Sequence, residues 1–179
     1  IACLLSGGLD SSIISAYVNK FYKKKNSGKL ETYSIGLLNG EDLIYSKKVA
    51  SHIDSNHHEI IMTNEDFITS IPNVIKDIES YDTTTVRASV GNWNIGKYIS
   101  LNSEAKVIFN GDGADELAGG YLYFHLCPSD DEFNNETKRL LNDIHIYDVK
   151  RSDKCISSHG LEPRTPFLDK ELTKFYLSI

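Results

Sequence analysis

Two short stretches hold the residues best suited to chemistry. The first, Ser6-Gly7-Gly8-Leu9-Asp10-Ser11-Ser12, follows an apolar run and sets one carboxylate among hydroxyls and glycines. The second, Asn110-Gly111-Asp112-Gly113-Ala114-Asp115-Glu116, packs three carboxylates behind another apolar run. Glycine lets a chain turn tightly after a strand, and a helix that starts there aims free N–H groups back at the turn. Such a helix end carries about half a positive charge and suits phosphate. Ser6, Ser11 and Ser12 add hydroxyl donors. Asp10 is the odd member. Its modest reading is favourable placement in the first turn of a helix. Its functional reading is a ligand for Mg²⁺, since a carboxylate beside a polyphosphate is repelled unless a divalent cation lies between them. Mg²⁺ is held by one or two carboxylates together with substrate phosphates. A second carboxylate is then expected across a crevice, and Asp112, Asp115 and Glu116 are the candidates. Neither stretch is G-x-x-x-x-G-K-[ST] or G-x-G-x-x-G.

The elements that must position these turns follow from hydrophobic patterning. Residues 2–5 are wholly apolar, as in a strand buried on both faces. Apolar residues over 9–22 keep helical spacing, and residues 31–36 read as a second strand. Residues 42–53 form an amphipathic helix and 57–62 a third strand. Residues 67–78 keep a 3.6 period, which Pro72 is expected to divide into two short helices. A further helix over 86–101 precedes a fourth strand at 106–109. Residues 129–159 are polar and helical in pattern, stopped by Gly160, and EPRTPF with its two prolines reads as a loop. Strands alternating with helices predict an α/β fold: a doubly wound, mostly parallel sheet with helices on both faces, followed by a helical C-terminal part. Both glycine-bearing turns then fall at strand carboxyl ends, and a strand order 3-2-1-4 would make them flank the ligand crevice.

Composition narrows the class. The 179 residues, 40% hydrophobic, suit one domain with a real core. A net charge of −6, with no basic run longer than Lys23-Lys24-Lys25, argues against a nucleic-acid partner. No stretch has the length of a membrane span, so a membrane partner is not expected. Cys3, Cys127 and Cys155 lack metal-ligand spacing and read as reduced thiols in a cytoplasmic protein. His57 and His58 are neighbours in a strand, point to opposite faces and cannot share a metal. The chain starts inside an apolar run and is read as a piece of a longer protein.

SGGLDSS, YDTTTVRAS, NGDGADELAGGYLYFH and EPRTPFLD, in this order, resemble the synthetase domain of glutamine-hydrolysing asparagine synthetases, within the N-type ATP pyrophosphatases. The resemblance runs through nearly the whole chain. It implies an adenine nucleotide alpha hydrolase-like fold and a single synthetase domain over 1–179. It also implies an ATP-dependent ligase that converts aspartate to asparagine through β-aspartyl-AMP, with ammonia supplied from glutamine by a glutaminase domain. By this resemblance Ser6, Gly7, Gly8, Asp10, Ser11 and Ser12 hold the leaving pyrophosphate, and Asp10 and Asp115 coordinate Mg²⁺. Leu4 and Ile35 match positions that bind adenosine, with Asn110 and Gly111 lining the same cleft. Asp112 matches a position implicated in adenylation, where many relatives have SGEG in place of NGDG. Glu116 and Arg87 complete the catalytic set, Arg87 toward the aspartate or phosphate oxygens, with Thr84, Thr85 and Ser89 as weaker candidates.

Tyr121, Tyr123 and Phe124 are read chiefly as packing residues near the cleft mouth, and Arg164 with Asp169 as an ion pair ordering PRTPFLD. The family's glutaminase domain and its lysine downstream of PFLD are expected outside this chain, so the isolated piece is expected to turn over little. Oligomeric state is left open, a homodimer included. Two rivals remain: another carboxylate-adenylating ATP pyrophosphatase of β-lactam synthetase type, and a non-catalytic nucleotide-binding domain.

Overall fold

The computed structural model describes the backbone of residues 1–179 and every side chain except that of Asp148. The elements run β1 (Ala2–Leu4), α1 (Leu9–Lys25), β2 (Glu31–Leu37), α2 (Glu41–Ile53), β3 (Asn56–Met62), α3 (Asn64–Ile78), α4 (Thr83–Asn102) and β4 (Val107–Phe109). Then come α5 (Ala114–Ala118), α6 (Asp130–Asp143), α7 (Asp148–Ser157), β5 (Glu162–Arg164) and α8 (Lys170–Tyr176), with 3₁₀ turns at Leu122–Leu126 and Pro166–Leu168. The sheet order is β3-β2-β1-β4-β5 and every pairing is parallel. α1 and α2 cover one face, α4 and α7 the other. This is the doubly wound arrangement the alternating pattern predicts.

Strand alternation explains the two faces. Ala2, Tyr33 and Ile108 turn toward α4 and α7, where they meet Ile95, Ile99 and Ile156 in one buried cluster. A second cluster joins α3, α4 and α7 through Val74, Ile78, Val90, Trp93 and Cys155. Cys3, Thr32 and His57, paired across the three strands, turn the other way. His58 stacks on Tyr33 at 4.8 Å. The two histidines therefore do sit on opposite faces. All three cysteines are free thiols; burial pushes Cys3 up to about 12 and Cys155 up to about 11, so neither is a ready nucleophile.

Three sequence expectations need correction. Pro72 does not divide α3. The carbonyl of Ile68 loses its helical partner to the proline, but Ile68 and Pro72 are both exposed, so water can satisfy it. The Thr63–Asp66 capping box and the buried Val74 and Ile78 hold the helix together. EPR is not loop but the edge strand β5, where Pro163 pairs with Ile108 on one side only and needs no second ladder partner. The helical pattern over 129–159 is realised, as the two helices α6 and α7. Arg164 pairs with exposed Glu162 at 3.1 Å, while Asp169 caps α8 by accepting from the N–H groups of Glu171 and Leu172.

The α2 face carries a polar layer with a pH signature. His57 is bonded through Nδ1 to Thr32 Oγ1 at 3.0 Å and through Nε2 to Ser34 Oγ at 3.1 Å. Burial, the largest cause, holds its pKa below the ordinary 6.5 despite the Glu59 charge, and burial depresses His159 similarly. The folded state thus takes up protons less readily than the unfolded chain. Stability is full above pH 6.5 and is lost as pH falls below it toward the depressed folded values. Urea unfolding at pH 7.5 and pH 5 should show the lower stability at pH 5, and His57→Gln should shrink that difference.

Candidate active site

The winding reverses between β1 and β4: β2 and β3 lie beyond one, β5 beyond the other. Open α/β sheets bind ligands at such a point, outside the strand carboxyl ends. Both glycine-bearing turns leave these two strands. Gly7 at φ +90° turns the chain from β1 into α1, and Gly113 at φ +89° turns it from β4 into α5. The turns close on each other at Gly111. A Cβ there would lie 2.9 Å from the Ser11 nitrogen and 3.1 Å from the Asp10 carbonyl carbon.

Between them is a cleft of about 290 Å³. Leu4, Ser6, Gly8, Asp10 and Ser11 form one wall, residues 110–116 the other, and Asn92 and Tyr121 complete the lining. The hydroxyls of the first turn are partly committed to holding it: Ser6 and Ser11 lie 3.0 Å apart, and Ser12 donates to the Gly8 carbonyl at 2.6 Å. α1 has no side-chain cap at Gly8, so its first N–H groups stay available at the cleft, and its dipole is matched by Lys23, Lys24 and Lys25 at the far end.

The carboxylates are electrostatically crowded. Burial, then the Asp10 charge, then Glu116 push Asp115 above the ordinary carboxylate range. Asp10 and Asp115 thus lie on opposite walls of the cleft, near enough for their charges to repel. Gly120 leaves room for this, because a side chain there would collide with the Asp115 carboxylate. Burial also raises Asp112, offset by the Ser152 hydroxyl and the Arg151 charge. Glu116 is buried and accepts a hydrogen bond from the Tyr121 hydroxyl. Among the described residues, no cluster of three or more His, Cys, Asp or Glu side chains could hold an ion alone. Two opposed carboxylates suit Mg²⁺ when a polyphosphate supplies the remaining oxygens. The donor set fits that ion.

Of the residues singled out from sequence, Leu4, Ser6, Gly8, Asp10, Ser11, Asn110, Gly111, Asp112, Asp115 and Glu116 are brought together here. Gly7 shapes the turn from behind, and Ser12 braces it. Ile35 packs against the core and is not among the residues that line the cleft. Arg87 is the clear departure. It is exposed and lines an apolar groove with Phe67, Ile71 and Val90, between α3 and α4. At about 100° per residue, Arg87 and Asn92 sit about 140° apart around α4, so the helix that brings Asn92 to the cleft turns Arg87 away. Thr85 is tied to Asp82 as part of the α4 cap, and Ser89 is buried.

Sequence reasoning missed Asn92 and Ser152 and undervalued Tyr121. A second cavity of about 400 Å³ shares Glu116 and Tyr121 with the cleft and is lined further by Tyr123, Glu136, Arg139 and Arg151. Tyr121 and Tyr123 stack with centroids 6.0 Å apart at its border, and Phe124 is buried against Phe133.

Fold and site together define a doubly wound, parallel α/β domain with a carboxylate-bearing cleft at its switch point. The chain belongs to the asparagine synthase family, whose model, described as Asparagine synthase, matches residues 1–134 and 126–179. Over its whole length it is 48% identical to an asparagine synthetase [glutamine-hydrolyzing] of Gallus gallus, 47% to that of Bos taurus and 46% to that of Homo sapiens. It spans about a third, 32%, of the length of each of these relatives. Among solved structures, one described as a predicted subunit of tRNA methyltransferase from Methanocaldococcus jannaschii covers 99% of this chain and 75% of its own, at 14% identity and a TM-score of 0.43. No helix among the described residues is long and apolar enough to cross a membrane.

Proposed function

We propose that this chain is the synthetase part of an enzyme that makes asparagine from aspartate, ATP and ammonia. The observation that carries the reading is the placement of Asp10 and Asp115 on opposite walls of a cleft that the N-terminus of α1 also lines. A carboxylate does not exchange oxide for ammonia directly. In the proposed reaction an aspartate side-chain oxygen attacks the α-phosphorus of ATP and the bond to the bridging oxygen breaks. β-Aspartyl-AMP and pyrophosphate result. Ammonia then displaces AMP, leaving asparagine. The domain's contribution is positioning and charge placement.

Ser6, Gly7, Gly8, Ser11 and Ser12, with the first turn of α1, hold the pyrophosphate. Leu4 and Ile35 mark the adenosine side, and Asn110 and Gly111 keep the walls in register. Asp10 and Asp115 would hold Mg²⁺, which when bound neutralises charge between the carboxylates and the triphosphate. Asp112 and Glu116 serve adenylation from the opposite wall, Glu116 oriented by Tyr121. The adjoining cavity, with Tyr123 and Arg151, offers aspartate a place beside the reacting phosphate. The names of the relatives support glutamine as the ammonia source, delivered by a glutaminase region of the parent protein.

The test is exchange of labelled pyrophosphate into ATP by the full-length protein. Exchange is expected with aspartate and Mg²⁺ together and not with either omitted. Exchange supported by a different carboxylic acid, and not by aspartate, would point to another adenylating enzyme. MgATP binding without exchange in the presence of any acid would leave a non-catalytic nucleotide-binding domain.

A further inference from the structure

α7 lies outside the two glycine-bearing turns, packed on α4 and β5, yet one of its side chains enters the cleft wall. Ser152 is 1% exposed, among Cys155 and Ile156 on the buried side of that helix. A buried hydroxyl is costly unless bonded, and alanine would fill the same space without that cost. The Ser152 hydroxyl is bonded: Asn110 Nδ2 donates to its oxygen at 2.7 Å. The same amide nitrogen donates to Asp112 Oδ2 at 2.8 Å, and Asn110 Oδ1 accepts from the Asp112 N–H at 3.3 Å. Both Nδ2 hydrogens are therefore assigned, one to α7 and one to the carboxylate. Asn110 is itself 3% exposed, so no water competes freely for either. The amide plane is fixed by its bond to Ser152, and the Asp112 carboxylate is held by that amide together with the Ser152 hydroxyl.

We propose that Ser152 is a positioning residue for the adenylation step, setting the orientation of the Asp112 carboxylate through the Asn110 side-chain amide. The inference rests on the reading of the cleft as an aspartate-adenylating site. Removing the hydroxyl leaves one buried amide hydrogen without a partner and frees the amide to rotate. Asp112 then samples orientations in which it does not serve the reaction, while the first turn, which holds the phosphates, keeps its own hydrogen bonds.

In the full-length protein, Ser152→Ala should lower the maximal aspartate-dependent pyrophosphate exchange rate roughly tenfold, with the KM for ATP unchanged. Ser152→Thr, which keeps the oxygen, should recover most of it. In an Asn110→Ala background, Ser152→Ala should cost clearly less than in the parent protein, because the amide part of the route to Asp112 is already cut. Crystal structures of the parent and Ser152→Ala proteins should show the Asp112 carboxylate reoriented. An unmoved carboxylate, undiminished exchange, or a full further loss on top of Asn110→Ala would each overturn the proposal. A wild-type protein without aspartate-dependent exchange would sink the reading of the site instead, and the Asp112 orientation in the two structures would still decide the role of Ser152.

Discussion

Asp115→Asn is expected to reduce aspartate-dependent pyrophosphate exchange by about three orders of magnitude while leaving the domain as stable as before, or more so. Both halves come from one feature. Burial, and after it the charges of Asp10 and Glu116, push Asp115 above its ordinary range. Its ionised form is thus disfavoured in the fold relative to the unfolded chain, and a neutral isostere relieves that repulsion. The lost function has the opposite origin. Unit charges about 4 Å apart interact by about 4 kcal/mol at an effective dielectric near 20, nearly three decades of rate if the interaction is realised in the transition state. Asp10→Asn should cost about as much, and the double variant little more, because the two carboxylates act as one unit. Exchange kinetics and a thermal melt check this together. A variant that melts earlier and still exchanges would contradict the assigned role.

Gly7→Ala is expected to be the most damaging single-methyl change in the domain. Gly7 has φ +90°, a conformation that costs other L-residues about 1–2 kcal/mol. The added Cβ would also lie 2.5 Å from the Ser46 nitrogen and the Tyr45 carbonyl carbon, both backbone atoms of α2 that no rotamer change can move. Overpacking of this kind costs roughly another 1–3 kcal/mol, so the melting temperature should fall by about 5–15 °C for a domain of this size. Gly91→Ala is the matched control. It lies within α4, a Cβ there meets nothing within 4 Å, and the change should raise the melting temperature slightly. Equal effects at the two positions would contradict the close approach of the first turn to α2.

The sequence carried the sheet and both turns because those signals are local. Residues 2–5 and 107–109 are short apolar runs with a glycine two positions beyond each, and residues 9–22 keep helical spacing. That Asp10 and Asp115 would line one cleft was legible for a chemical reason: a carboxylate in a turn suited to phosphate calls for a cation, and the cation for a second carboxylate. What was not legible came from three-dimensional context. Pro72 suggests a break on local grounds, and only the exposure of Ile68 and Pro72 and the burial of Val74 and Ile78 let α3 continue. Pro163 argues against a strand until β5 is seen at an edge. Ser152 is 42 residues from Asn110, on a helix whose composition gives no sign that one hydroxyl turns inward. Arg87 was drawn into the site by its neighbours in sequence, yet the helical angle separating it from Asn92 puts it on the α3 side.

The central claim is that two turns present carboxylates to a common ion at the triphosphate of a bound nucleotide. A crystal structure of the full-length protein with ATP and Mg²⁺ tests it most directly. One octahedral ion should be found with an oxygen of Asp10, an oxygen of Asp115 and phosphate oxygens in its shell, and the adenosine beside Leu4. A nucleotide bound elsewhere, or phosphates in the cleft with the ion touching neither aspartate, would contradict it.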